Sequence, residues 1–125
     1  MKLQEYRQLT KTKKPRHKFN AKITERKGFK FGSKLEAEYF DYLETLQDAG
    51  HVVFFLRQVP FHLVGNVTYR VDYLVFWADG TVTFDDTKGV ITSAFRDKKK
   101  MVEAQYPGVE VRVIKKRCGK WIKTG

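Results

Sequence analysis

Three acid-x-lysine triplets are the first candidates for catalytic groups: Glu25-x-Lys27, Asp86-x-Lys88 and Asp97-x-Lys99. A carboxylate can hold a metal ion and an ammonium can neutralise phosphate, so such a pair suits phosphodiester hydrolysis when both side chains share one face. Glu25 lies in the basic N-terminal segment. Asp97 lies in a predicted helix, where the side chains of residues i and i+2 point in directions that differ by about 200°. Only Asp86 and Lys88 lie on a predicted strand, whose period of two puts them on one face and Asp85 on the other. We therefore expect catalysis at Asp86 and Lys88.

A second carboxylate, Asp72, interrupts an apolar run that extends from Val71 to Trp77. Asp79-Gly80 is a hairpin signal that joins this run to the strand of Asp86, and the two carboxylates lie at similar distances from the turn. A charge in a buried strand costs several kcal/mol unless something pairs with it. A cross-strand ion pair with Lys88 meets this requirement, and so does a divalent cation such as Mg²⁺, which prefers oxygen ligands.

A third carboxylate, Glu36, opens the best-defined helix. Ser33 and Glu36 match a capping box, and apolar residues recur at helical spacing from Leu35 to Leu46. At about 100° per residue, Glu36 lies at the edge of the apolar face, where it can reach a neighbouring sheet. The same residue can instead serve only as the capping partner of Ser33.

The remaining elements predict an α/β fold in a single domain. β-branched and aromatic runs predict strands at 52–56, 59–64, 69–77 and 81–88, then a helix at 93–105 and a strand at 109–114. With the helix after Ser33, this order places helices around a central sheet. The expected organisation is a basic N-terminal arm at 1–30, a core at 31–115 and a basic C-terminal tail at 116–125.

Charge points to a nucleic-acid partner. The 125 residues include 25 Lys and Arg against 14 Asp and Glu, and the net charge of +11 predicts an anionic partner. The excess lies at the two ends, whereas residues 31–111 hold more acids than bases. This pattern favours a metal site between basic elements that hold phosphate. The cations expected to bind DNA are Lys11, Lys13, Lys14, Arg16 and Lys18 in the arm and Lys98 and Lys100 on the second helix.

Composition also excludes several classes of protein. Cys118 is the only cysteine, so neither an intrachain disulfide nor a cysteine-rich zinc site can form. No apolar stretch reaches the length of a membrane span, and the basic N-terminus lacks the apolar run of a secretory signal. We expect a soluble, cytoplasmic protein. A non-catalytic nucleic-acid-binding module, with structural carboxylates, is the alternative from a different class.

Glu36, Asp72 and Asp86-Thr87-Lys88, in this order on helix, strand and strand, resemble the PD-(D/E)XK nuclease superfamily. Gly28–Phe31, Ser33–Glu38, Gln58 and Lys98–Lys100 extend the resemblance to small phage and prophage proteins within it. The resemblance implies a restriction-endonuclease-like fold with a central mixed sheet flanked by helices. It also implies Mg²⁺-dependent cleavage of DNA, with Mn²⁺ as a possible substitute.

The resemblance further implies a role for each site residue. Glu36, Asp72, Asp86 and the Thr87 carbonyl would be metal ligands, Lys88 the catalytic lysine, and Gln58 a further site residue. Small members of the superfamily include archaeal Holliday junction resolvases, which act as homodimers on four-way junctions. We therefore expect a phage-type junction resolvase that acts in DNA recombination. The alternative is a nuclease that acts on flapped, nicked or single-stranded DNA.

Overall fold

The structure is a computed structural model that describes residues 24–124. The helices are α1 (Lys34–Asp48) and α2 (Ser93–Gln105). A small antiparallel hairpin is formed by β1 (Thr24–Arg26) and β2 (Phe29–Phe31). The main sheet has five strands in the order in which they occur in the chain: β3 (Val52–Leu63), β4 (Val67–Trp77), β5 (Val82–Thr87), β6 (Val111–Arg117) and β7 (Lys120–Thr124). The predicted α/β fold, with a mixed central sheet flanked by helices, is confirmed.

Helix α1 begins where the capping pattern places it. The Ser33 hydroxyl accepts a hydrogen bond from the Glu36 N–H at 3.1 Å, which satisfies one of the free donors at the helix start. The helix packs Tyr39, Phe40 and Leu43 against the sheet, and all three are buried. This packing orients α1 so that its first turn, which contains Glu36, faces the strands.

The register of the β4–β5 hairpin determines how Asp72 and Asp86 lie relative to each other. Gly80 N–H closes the predicted turn on the Trp77 carbonyl, and Tyr73 then pairs with Asp85. One step further from the turn, this register brings Asp72 opposite Asp86. Helix α2 then connects β5 to β6, which lies parallel to β5 and pairs Asp86 with Val113.

Strands β3 and β4 change direction beside the site. Tyr73 and Val75 of β4 belong to the apolar cluster under α1, whereas Tyr69 and Val71 belong to the cluster under α2. The odd-numbered side chains of β4 therefore pack under α2 before Asp72 and under α1 after it. The register places Gln58 opposite Asp72, and Gln58 has a left-handed backbone with φ 52°. The hairpin thus bends at these two residues, and its outer part covers the α2 side of β5.

Several predicted boundaries need correction. The two strands expected at 52–56 and 59–64 form one strand, β3, with the irregularity at Gln58 inside it. The expected core boundary at residue 115 falls inside β6, because the tail folds back as β7 and adds to the sheet. Residues 24–30 of the expected arm belong to the β1–β2 hairpin. No helix among residues 24–124 is long and apolar enough to cross a membrane.

Candidate active site

Asp72 and Asp86 form the centre of the site. They face each other across the β4–β5 hairpin, and the charge of Asp72 contributes to the raised pKa of Asp86. Thr87 holds Asp72 in place through its N–H at 3.0 Å and its hydroxyl at 2.7 Å, both donated to Asp72 Oδ2. The predicted approach of the two carboxylates across the hairpin is present in the structure.

Asp86 is almost fully buried, with 1% of its surface exposed. Tyr69 donates a hydrogen bond to Asp86 Oδ2, and Lys88 Nζ lies 3.4 Å from the same oxygen. The other oxygen, Oδ1, is buried and has no hydrogen-bond partner among residues 24–124. Burial, followed by the charge of Asp72, raises the pKa of Asp86 to about 7. Two carboxylates this close, with one oxygen left unpaired, favour either a proton or a cation between them.

Glu36 lies beside this pair but is held by other groups. Its Oε2 accepts hydrogen bonds from Arg57 Nη2 at 3.1 Å and from Gln58 Nε2 at 3.4 Å. Gln58 Nε2 also donates to Asp72 Oδ1 at 3.1 Å, so the amide bridges Glu36 and Asp72. Burial raises the pKa of Glu36 despite the nearby guanidinium of Arg57. The Glu36 main chain therefore takes part in the cap of α1, and its side chain points to the site.

The metal ligand set expected from the sequence is only partly assembled. Among residues 24–124, no group of three or more His, Cys, Asp or Glu side chains is placed to hold a metal ion. The hydrogen bonds that Glu36 accepts from Arg57 and Gln58 both reach its Oε2. Asp72 and Asp86 do fit a divalent cation: both are oxygen donors, and Asp86 Oδ1 lacks a partner within the described chain. The main chain of Thr87 runs beside them.

Lys88 pairs with Asp86 and not with Asp72, so the cross-strand ion pair considered as an alternative is absent from this site. Its ammonium also lies 4.7 Å from the centre of the Phe95 ring at the start of α2. Lys98 and Lys100 are exposed on α2, as their predicted role requires. The predicted DNA-binding residues of the arm lie outside the described residues: Lys11, Lys13, Lys14, Arg16 and Lys18.

Sequence reasoning missed two residues of the site, Arg57 and Tyr69. Arg57 precedes Gln58 and lies over the Phe31 ring at 4.0 Å, which fixes the guanidinium against Glu36. Tyr69 reaches Asp86 because the buried side chains of β4 pass from the α1 cluster to the α2 cluster at Asp72. Burial raises the pKa of the Tyr69 hydroxyl, which keeps it a hydrogen-bond donor. Regular alternation along β4 gives no signal for this contact.

A third missed group lies on the other face of β5. Asp85 points away from Asp86, as predicted, but it is fully buried. It accepts hydrogen bonds from Arg112 Nε at 2.7 Å, from Arg112 Nη2 at 2.9 Å and from the Tyr39 hydroxyl at 2.6 Å. Asp85 therefore has a structural role, which leaves Asp86 as the carboxylate that β5 contributes to the site.

A family model described as "Protein of unknown function (DUF1064)" matches residues 16–122 of the chain. The matched segment covers every element from β1 to β6 and most of β7. No curated protein and no solved structure matches the chain.

Proposed function

The chain belongs to the DUF1064 family of proteins of unknown function, and we propose that it is a metal-dependent endonuclease that hydrolyses phosphodiester bonds in DNA. The observation that supports this most is the buried Asp72–Asp86 pair, in which one carboxylate oxygen has no partner among residues 24–124 and Lys88 lies beside the other. Carboxylate pairs next to a lysine suit the hydrolysis of a phosphodiester, whose transition state gains negative charge. The net charge of +11 supports an anionic substrate.

Each residue has a defined part in this proposal. Asp72 and Asp86 would hold a divalent cation, Mg²⁺ or Mn²⁺, with the Thr87 carbonyl as a further oxygen ligand. Such a cation supplies Lewis acidity, which activates water and stabilises charge on a phosphate. Thr87 and Gln58 fix the orientation of Asp72, and Tyr69 fixes one oxygen of Asp86. Lys88 would neutralise the charge that develops on the scissile phosphate.

Four-way junctions are the substrate that we propose, on the resemblance to junction resolvases. Flapped, nicked and single-stranded DNA are the competing substrates. A panel of these substrates with linear duplex, incubated with Mg²⁺ or with EDTA, separates the alternatives. We expect Mg²⁺-dependent cleavage of the junction in preference to linear duplex.

The matched control uses the third acid-x-lysine triplet, Asp97-x-Lys99. Asp97 has the same sequence context as Asp86 but is exposed on α2. We expect Asp86→Asn to abolish cleavage and Asp97→Asn to leave it unchanged. Equal cleavage by both variants, or none by the wild type on any substrate, would contradict the proposal. Binding without any cleavage would favour the non-catalytic module.

A homodimer is the second part of the proposal. An apolar face on β3, β4 and β5 belongs to neither core cluster, and cross-strand pairing makes it continuous. Within it, Phe54 is 41% exposed, Leu56 49% and Val82 40%. The face is made up of Phe54, Leu56, Leu74, Phe76 and Val82.

Contiguous apolar surface of this kind is typical of interaction sites, and a second copy of the chain is the partner that we propose. Light scattering of the purified protein should give the mass of a dimer, and Leu56→Glu should give that of a monomer. Val64→Glu is the control, because Val64 is 71% exposed in the β3–β4 turn, outside this face. A monomeric wild type would contradict the dimer without bearing on cleavage.

A further inference from the structure

The tail of the chain forms a two-stranded ribbon that continues past the end of β5. The last pair between β5 and β6 is Thr87 with Ile114, whereas β6 continues to Arg117 and pairs there only with β7. Cys118 and Gly119 make the turn, both with positive φ, as in a tight hairpin. The Lys88 N–H donates to the Ile114 carbonyl. The ribbon therefore starts directly beside the lysine of the proposed active site.

The two faces of the ribbon follow from strand alternation. Val113 pairs with Asp86 and packs in the α2 cluster, so Lys115 and Arg117 share the side of the sheet that carries Asp86. Lys120 pairs with Arg117 and lies on the same side, as does Ile122 opposite Lys115. We call Lys115, Arg117 and Lys120 the site-facing cations.

The site-facing cations have no ion-pair partner among residues 24–124. The opposite face differs. There Lys116 pairs with Glu38 of α1 at 3.2 Å and lies over the Trp121 ring, and Lys123 lies 4.7 Å from the centre of the Trp77 ring. The cations of one face are thus held by the protein itself, and those of the other are left for a partner.

The spacing of the site-facing cations suits a DNA backbone. Two residues along a strand advance about 6.7 Å, close to the rise of two nucleotides in one strand of B-DNA, about 6.8 Å. Residues 112–125 contain no Asp or Glu, so nothing in the tail repels phosphate. A two-stranded ribbon is also narrow enough to follow a groove of the duplex.

We propose that the β6–β7 ribbon is a DNA-binding arm, whose site-facing cations bind the phosphate backbone of duplex DNA next to the bond that is cut. This inference rests on the proposed nuclease function, since it takes DNA as the substrate. It assigns to the tail the task of holding the duplex on one side of Asp86 and Lys88. Binding by the ribbon needs no metal and no cleavage, which makes it separately measurable.

The test compares two double variants that remove equal charge from the two faces. Lys115→Gln with Arg117→Gln removes site-facing cations, and Lys116→Gln with Lys123→Gln removes cations of the opposite face. Fluorescence anisotropy of a labelled duplex, measured in EDTA over a salt series, gives Kd and its salt dependence for each protein. The opposite-face variant also removes the contacts of Lys116 with Glu38 and of Lys123 with Trp77, so circular dichroism checks the folding of both variants.

We expect the site-facing variant to lose up to about 60-fold in affinity at about 0.1 M salt, because each phosphate contact contributes about 0.9 to the slope of log K against log salt. Its slope should fall by about two, one for each lost contact, with little change in the opposite-face variant. Equal losses in both variants, or no loss in either, would overturn the ribbon proposal. A face-specific loss in a protein that never cleaves DNA would instead overturn the nuclease proposal alone.

Discussion

Replacing Asp86 by Asn should stabilise the folded protein at alkaline pH while removing its activity. The folded pKa of Asp86 is raised from its ordinary 3.8 to about 7, mainly by burial. Between these values the folded state keeps a proton that the unfolded chain has lost, so stability falls as pH rises through this window. At 1.36 kcal/mol per unit, the cost is about 2 kcal/mol at pH 5 and about 4 kcal/mol above pH 7. Asn carries no charge and escapes this cost.

Denaturant unfolding of the wild type and Asp86→Asn at pH 5 and pH 8 measures this effect. The stability advantage of the variant should grow by about 2 to 3 kcal/mol between the two values, since Asp86 is present to titrate only in the wild type. Asp97→Asn, on the exposed face of α2, should show no such growth. An Asp86→Asn variant whose stability relative to wild type is the same at both pH values would contradict a raised pKa for Asp86 in the folded protein.

Three further outcomes follow from the same contacts. Mg²⁺ at about 100 times its Kd should stabilise the wild type at pH 8 by about 2.7 kcal/mol, measured as a rise in melting temperature, and should leave Asp86→Asn unaffected; equal shifts would place the metal elsewhere. Tyr69→Phe removes the hydrogen bond that lowers the pKa of Asp86, so its pH–rate profile should move to higher pH; an unmoved profile would contradict this role. Arg112→Ala leaves the buried charge of Asp85 unpaired and should cost about 3 to 5 kcal/mol in unfolding free energy; a loss below about 1 kcal/mol would show that Asp85 is held by other groups.

The pairing of Asp72 with Asp86 was predictable because it depends on local information. A hairpin with a recognisable turn fixes its own register, and counting from Asp79-Gly80 then locates both carboxylates. The same holds for Ser33, whose hydroxyl caps α1 as the pattern predicts. In both cases the interacting residues are linked by a short, regular piece of chain.

The contacts around these carboxylates depend on the bend and were not predictable in this way. Gln58 is not a residue type that signals a positive φ, yet its left-handed backbone lies opposite Asp72, where the buried side chains of β4 change from one core cluster to the other. Period-two counting would put Tyr69 on the side of Tyr73, away from Asp86. Packing of the outer part of the β3–β4 hairpin against α2 instead brings Tyr69 to Asp86.

The sequence contains a signal for the β6–β7 ribbon, but the basic composition of the tail obscures it. Cys118-Gly119 provides a two-residue turn, and Trp121 and Ile122 suit a strand that follows it. Trp121 is held in a ring contact with Tyr39 at 5.0 Å between ring centres. This long-range contact anchors β7, which a window of the tail alone does not reveal.

The central claim is that Asp72 and Asp86 form a metal-dependent centre for phosphodiester hydrolysis. Single-turnover cleavage of a labelled four-way junction by the wild type, Asp86→Asn and Asp97→Asn, with Mg²⁺ or with EDTA, tests it most directly. We expect cleavage by the wild type and Asp97→Asn only with Mg²⁺, and none by Asp86→Asn under either condition. Cleavage in EDTA, or wild-type rates in Asp86→Asn, would contradict it.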